Sequence, residues 1–119
     1  MTRRIVIVDD DVLIATFLEE VCVSFGHDVC GVAHDCDSAV AIIETQKPDF
    51  VLMDVRLGGA RDGIDISLQI YKSAPEIKTI FVTGSNEPET IKRIGQDHPH
   101  AVMIKPIIPS KLEEILAAA

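Results

Sequence analysis

Five short runs of apolar, mostly β-branched residues, at 4–8, 28–32, 50–53, 79–82 and 101–104, recur along the chain with amphipathic stretches between them. Each run is continuously apolar rather than alternating, which marks strands buried on both faces. In the first intervening stretch Ile14, Leu18, Val21, Cys22 and Phe25 return at helical spacing, and in the second Cys36, Ala39 or Val40, and Ile43 do so. A third helix is expected over residues 65–73, ending before Ala74-Pro75 because the residue preceding a proline avoids the helical region. Asn86-Glu87-Pro88-Glu89 reads as the capped start of a short fourth helix that ends near Gly95. The fifth opens at residue 109, where Ser110 and Glu113 have the spacing of a capping box, and it presents Leu112, Ile115 and Leu116 on one face. Strands that alternate with helices must be parallel, since each helix carries the chain back across the sheet. The expected fold is a doubly wound (βα)5 α/β domain with a five-stranded parallel sheet in the order 2-1-3-4-5.

A chain of 119 residues with 47% hydrophobic content suits one core, so a single domain over residues 1–119 is expected. The net charge of −8 argues against a nucleic-acid surface, which Lys and Arg would have to supply. No apolar run reaches membrane-spanning length, and Met1-Thr2-Arg3-Arg4 lacks the features of a signal peptide, so a cytoplasmic protein without membrane contact is expected. Cys22, Cys30 and Cys36 are odd in number and show no C-x-x-C spacing; they are read as small buried hydrophobes.

Two of the apolar runs empty into acids: Asp9-Asp10-Asp11 follows the first, and Asp54 follows the third. In an open parallel sheet the crevice lies at the carboxyl ends of the strands where the winding order reverses, here between the first and third strands. Adjacent strands are about 5 Å apart, so Asp9, Asp10 and Asp54 are expected to face one pocket. Close carboxylates repel and need a cation or a proton to coexist. An all-oxygen, carboxylate-rich site suits Mg2+ or Mn2+ rather than zinc. A carboxylate beside such a cation can attack a phosphoryl group. Thr83 and Lys105 end the fourth and fifth runs on the same rim, one a hydroxyl donor, the other an ammonium able to pair with carboxylate or phosphate. The Lys105-Pro106 bond is a candidate for the cis form.

An acid pair, a later Asp, then Thr and Lys-Pro, each after successive strands, resembles the response-regulator receiver domain of two-component signalling, a flavodoxin-like fold, over essentially the whole chain. The resemblance implies that Asp54 is the phosphoacceptor, served by Thr83 and Lys105. It further implies that Asp10, Asp54 and the backbone carbonyl of Arg56 hold Mg2+, with Asp9 acting mainly through bound water. Asp10 and Asp11 form a rival acid pair, but the interval to Asp54 favours Asp9 and Asp10, leaving Asp11 to open the first helix. The donor would be a sensor histidine kinase or histidine phosphotransfer protein. The output would run to a downstream protein through the α4-β5-α5 face (Glu89, Lys92, Arg93, Met103 and Lys111), with phosphorylation-dependent dimerisation as a further family trait. Such a protein is a signalling phosphoacceptor with autophosphorylation and autodephosphorylation activity only, and is not a conventional enzyme.

Two positions depart from the family pattern. Gly58 replaces the usual proline four residues after the acceptor, in a loop with one extra residue; Val102 replaces the aromatic expected three residues before the lysine. Arg56 and Ser85 are expected to tune the phosphoaspartate lifetime, and the switch to run through Thr83, residues 84–86 and the fourth helix. The leading expectation is a stand-alone receiver. Alternatives are a receiver excised from a hybrid kinase or transcription factor, and a metal-dependent phosphohydrolase working through an aspartyl-phosphate.

Overall fold

A computed structural model describes residues 2–59, 61–84, 88–95 and 99–118, with backbone alone for 88–91. Its order is β1 (Arg4–Val8), α1 (Val12–Ser24), β2 (Asp28–Ala33), α2 (Cys36–Gln46), β3 (Phe50–Asp54), α3 (Gly63–Ser73), β4 (Lys78–Thr83), α4 (Pro88–Gly95), β5 (Ala101–Ile104) and α5 (Pro109–Ala118). All strand pairs are parallel, as the alternation requires, and the sheet order is β2-β1-β3-β4-β5, as expected. No helix among the described residues is long and apolar enough to cross a membrane.

The period of two along each strand divides the core in half. Ile5, Ile7, Phe50, Leu52, Ile80 and Val82 meet Ala15, Leu18 and Cys22 of α1 and Leu112 and Leu116 of α5. On the opposite face Val6, Val8, Val51, Met53 and Phe81 meet Ala39 and Ile43 of α2, Ile64, Ile66 and Ile70 of α3, and Ile94 of α4. Cys22 is fully buried, and burial pushes its thiol up to about 12; the Cys30 and Cys36 thiols are also raised, again chiefly by burial. None of the three is a thiolate at neutral pH, in keeping with a packing role.

One helix start moves and one expected cap is not made, each for a local reason. α3 starts at Gly63, because Asp62 caps it: Asp62 accepts from the Asp65 N–H at 3.0 Å and Asp65 accepts from the Asp62 N–H at 2.9 Å. α5 starts at Pro109, ahead of Ser110, so the Ser110–Glu113 pair is not its capping box. The Glu113 carboxylate instead lies 2.6 Å from His27 Nε2, while His27 Nδ1 accepts the Arg3 N–H at 3.1 Å. Because Nδ1 must be unprotonated to accept, Nε2 carries the proton and donates to Glu113. Residues 86–87 of the α4 cap signal lie outside the described residues, whereas Pro88 is the first helical residue, a position that suits its missing N–H.

Gly63 has no room for a side chain: a Cβ there would meet the Asp54 carbonyl oxygen at 2.0 Å and Met53 Cγ at 2.8 Å. The Gly63 N–H donates to the Val55 carbonyl at 2.7 Å, which clamps the start of α3 onto the end of β3. Gly→Ala in an ordinary helix stabilises by up to about 1 kcal/mol. Gly63→Ala should reverse that sign and cost at least about 2 kcal/mol by urea denaturation. A neutral or stabilised variant would show that the two elements are not packed this closely.

Candidate functional site

β1 and β3 pair through Val8 and Met53, so the residues that follow them emerge side by side. Asp54 continues the row of Phe50 and Leu52, on the α1 and α5 side of the sheet. One ligand oxygen from each of Asp9, Asp10 and Asp54 lies within 4.8 Å of the others, a grouping that the sequence anticipated. Asp9 and Asp54 are buried, while Asp10 is exposed at the rim.

Asp9 is held by three of its four polar functions. Its N–H donates to the Ala33 carbonyl at 3.1 Å, its carbonyl lies 2.8 Å from His34 Nδ1, and its Oδ1 accepts the Asp11 N–H at 2.9 Å. Oδ2 accepts no hydrogen bond from the described residues, and its charge is met by Lys105 Nζ at 3.3 Å. Lys105 Nζ also lies 3.6 Å from Asp54 Oδ1. The Lys105-Pro106 peptide is cis, and the Lys105 N–H donates to the Thr83 carbonyl at 2.8 Å, tying the two rim residues together. Thr83 is buried. Asp11 stands apart from the cluster and caps α1, its Oδ1 accepting from the Leu13 and Ile14 N–H groups at 2.9 and 3.3 Å. That resolves the rival acid pair.

Burial, then the neighbouring Asp9 charge, pushes the Asp54 carboxyl up to about 6; Lys105 and the Arg56 N–H draw it down, and Asp10 draws it up. A buried carboxylate oxygen without a hydrogen bond, two further carboxylates within reach and no nitrogen or sulfur donor make a set that fits a small hard divalent cation such as Mg2+. Arg56 is exposed beside this set. Ser85, expected to share its tuning role, lies outside the described residues.

The loop after Asp54 explains the missing proline. Gly58 has φ +72°, a left-handed conformation closed to proline, whose ring fixes φ near −65°. Three contributors escaped the sequence reading. Gly63 sits under Asp54, His34 touches Asp9 from β2, and Arg93 of α4 pairs with Asp62 at 2.7 Å and with Asp65 at 3.7 Å. Only Gly63, in the pair Asp62-Gly63, left a visible sign. The other two contacts join residues with no periodic relation in the chain. Arg93 therefore ties α4 to the capping box of α3. On the β5 side, Val102, Ile104 and Ile108 form the exposed apolar part of the face, and Met103 is half-buried. Val102 is 39% exposed, at the surface rather than in the core.

The family model described as the response regulator receiver domain matches residues 5–117. The phyllosphere-induced regulator PhyR of Methylorubrum extorquens is 31% identical across all of this chain, which spans 44% of that protein. The chemotaxis protein CheY of Thermotoga maritima is 31% identical over 98% of the chain and 96% of its own length. A CheY-like response regulator receiver domain protein from Methanospirillum hungatei superposes with a TM-score of 0.91 at 27% identity, covering 99% of this chain and 93% of that one.

An acid raised from 3.8 to about 6 binds its proton more tightly folded than unfolded. Its contribution to stability is therefore fully present below about pH 4 and is lost as pH rises through about 6. Asp54→Asn, neutral throughout, should stabilise the metal-free protein at pH 7.5 by on the order of 1–3 kcal/mol but not at pH 4. Mg2+ should narrow the difference. Urea midpoints compared at the two pH values check this; equal midpoints at pH 7.5 would refute the crowding of Asp54.

Proposed function

Because the chain belongs to the response regulator receiver domain family, we propose that Asp54 accepts a phosphoryl group from a histidine kinase or a histidine phosphotransfer protein in the presence of Mg2+. The observation that carries this reading is the buried Asp54 carboxylate, grouped with Asp9 and Asp10 and 3.6 Å from the Lys105 ammonium. Asp9, Asp10, Asp54 and the Arg56 carbonyl would hold the cation, which supplies neutralisation of the phosphoryl charge as it arrives. An Asp54 carboxylate oxygen forms the new O–P bond while the N–P bond of the phosphoimidazole breaks, the imidazole leaving with the electron pair. Lys105, paired with both the Asp9 and Asp54 carboxylates, turns to the phosphoryl oxygens once Asp54 is esterified. The Thr83 hydroxyl donates to one of those oxygens. Water attack on phosphorus, with Asp54 leaving as carboxylate, returns the protein to its first state.

On this reading residues 1–119 act as one phosphoacceptor domain in the cytoplasm, where free thiols such as Cys22 persist. The signal leaves by contacts with a protein target or a second copy on the α4-β5-α5 face, where Val102, Ile104 and Ile108 are exposed. A short valine at the surface makes no aromatic swing. The route therefore passes through Thr83 and the start of α3 to α4, which is held by Ile94 in the core and by Arg93 on Asp62. That coupling requires a two-state element.

Incubation with Mg2+ and acetyl phosphate should add one phosphoryl group by intact mass, and Asp54→Ala should add none. Equal addition to both proteins would displace Asp54 as the acceptor; no addition to either, even from a reactive phosphohistidine protein, would overturn the reading. Amide shifts of residues 88–95 should move when beryllofluoride is added, and less so in Arg93→Ala. Unmoved shifts in the wild type would sink the α4 route.

A further inference from the structure

Of the bonds that fix Asp9, two are backbone to backbone or local to the turn, and one is a side chain reaching over from another strand. His34 follows β2, and its Nδ1 lies 2.8 Å from the Asp9 carbonyl oxygen. A carbonyl can only accept, so Nδ1 bears the hydrogen and donates. This bond acts on the peptide that joins Asp9 to Asp10. A peptide unit is planar, so pinning its carbonyl also sets the plane from which Asp10 departs.

From this geometry we infer that His34 is a positioning residue for the cation pocket, a role that rests on Asp9 and Asp10 holding a divalent cation. Asp10 is exposed at the rim, and a Cβ built at Gly58 would still stand 3.9 Å from Asp10 Oδ2. For an exposed side chain such as Asp10, the direction of the carboxylate depends strongly on the backbone that carries it. On one side of that backbone Asp9 Oδ1 holds the Asp11 N–H; on the other His34 holds the Asp9 carbonyl. Residues that orient a metal ligand through such a bond commonly change affinity 10–100-fold when removed. His34 is exposed, so water replaces part of its bond and the loss is smaller.

The test is a Mg2+ titration of the metal-free protein, followed by the amide shifts of residues 9–11 and 54, in wild type, His34→Ala and His34→Asn. The Asn Nδ2 stands at the same number of bonds from Cβ as the His Nδ1 and can donate to the same carbonyl. His34→Ala should raise the Mg2+ Kd about 3–10-fold, below the range cited for more sheltered partners, and His34→Asn should recover most of it. Urea midpoints of the three metal-free proteins should agree, which separates positioning from general loosening. A His34→Ala Kd within about twofold of wild type, a His34→Asn Kd as weak as that of Ala, or a midpoint that falls with the affinity would each overturn the inference while leaving the pocket intact. A wild type that takes up no Mg2+ would overturn the pocket itself, and this inference with it.

Discussion

Three carboxylates share the carboxyl ends of β1 and β3, and two of them, Asp9 and Asp54, are buried. Carboxylates so close in a water-poor crevice destabilise one another unless a cation intervenes, and burial adds to the cost. Among the described residues the Lys105 ammonium lies within 3.6 Å of both buried acids. It does not cancel the crowding, for the Asp54 carboxyl is still pushed up to about 6. The pocket is thus under electrostatic tension of a kind that a divalent cation relieves. Much of the surrounding structure serves to keep these groups together despite that repulsion.

The means are mostly backbone. Asp9 is tied at both its N–H and its carbonyl to the end of β2, so one acid is fixed by the strand next to its own. Asp54 is fixed from the other side by α3, whose first residue lies so near the Asp54 carbonyl that only glycine fits. A movement of the Asp54 peptide must therefore press on α3. The capping box Asp62–Asp65 at that helix start is also where Arg93 of α4 attaches. A chain of contacts runs from Asp54 through the start of α3 to α4, and it involves no aromatic side chain at position 102. It consists of a close backbone contact followed by an ion pair. The pair is partly exposed, so its strength is modest and sensitive to salt.

The secondary structure was legible because two signals agreed. Continuous apolar runs marked buried strands, and the 3.6-residue pattern between them marked helices; the differences from expectation lie at caps. Asp62 caps α3, which therefore starts at Gly63, two residues before Asp65, and Glu113, expected to cap α5, contacts His27 instead. The acidic pocket was legible for a different reason. Acids follow both β1 and β3, and the winding order puts the ends of these two strands together.

Taken alone, the sequence determined the (βα)5 alternation and its parallel pairing, and pointed to the meeting of Asp9, Asp10 and Asp54, through periodicity and the crevice rule of open parallel sheets. Tertiary structure decided which acid is which. Asp11 turns to the α1 N–H groups, Asp9 is buried and anchored, and Asp10 is left at the rim. It also decided the contacts of His34 and Arg93, because a hydrogen bond or ion pair between residues 25 or 31 positions apart depends on ångström-scale placement, which no local pattern encodes.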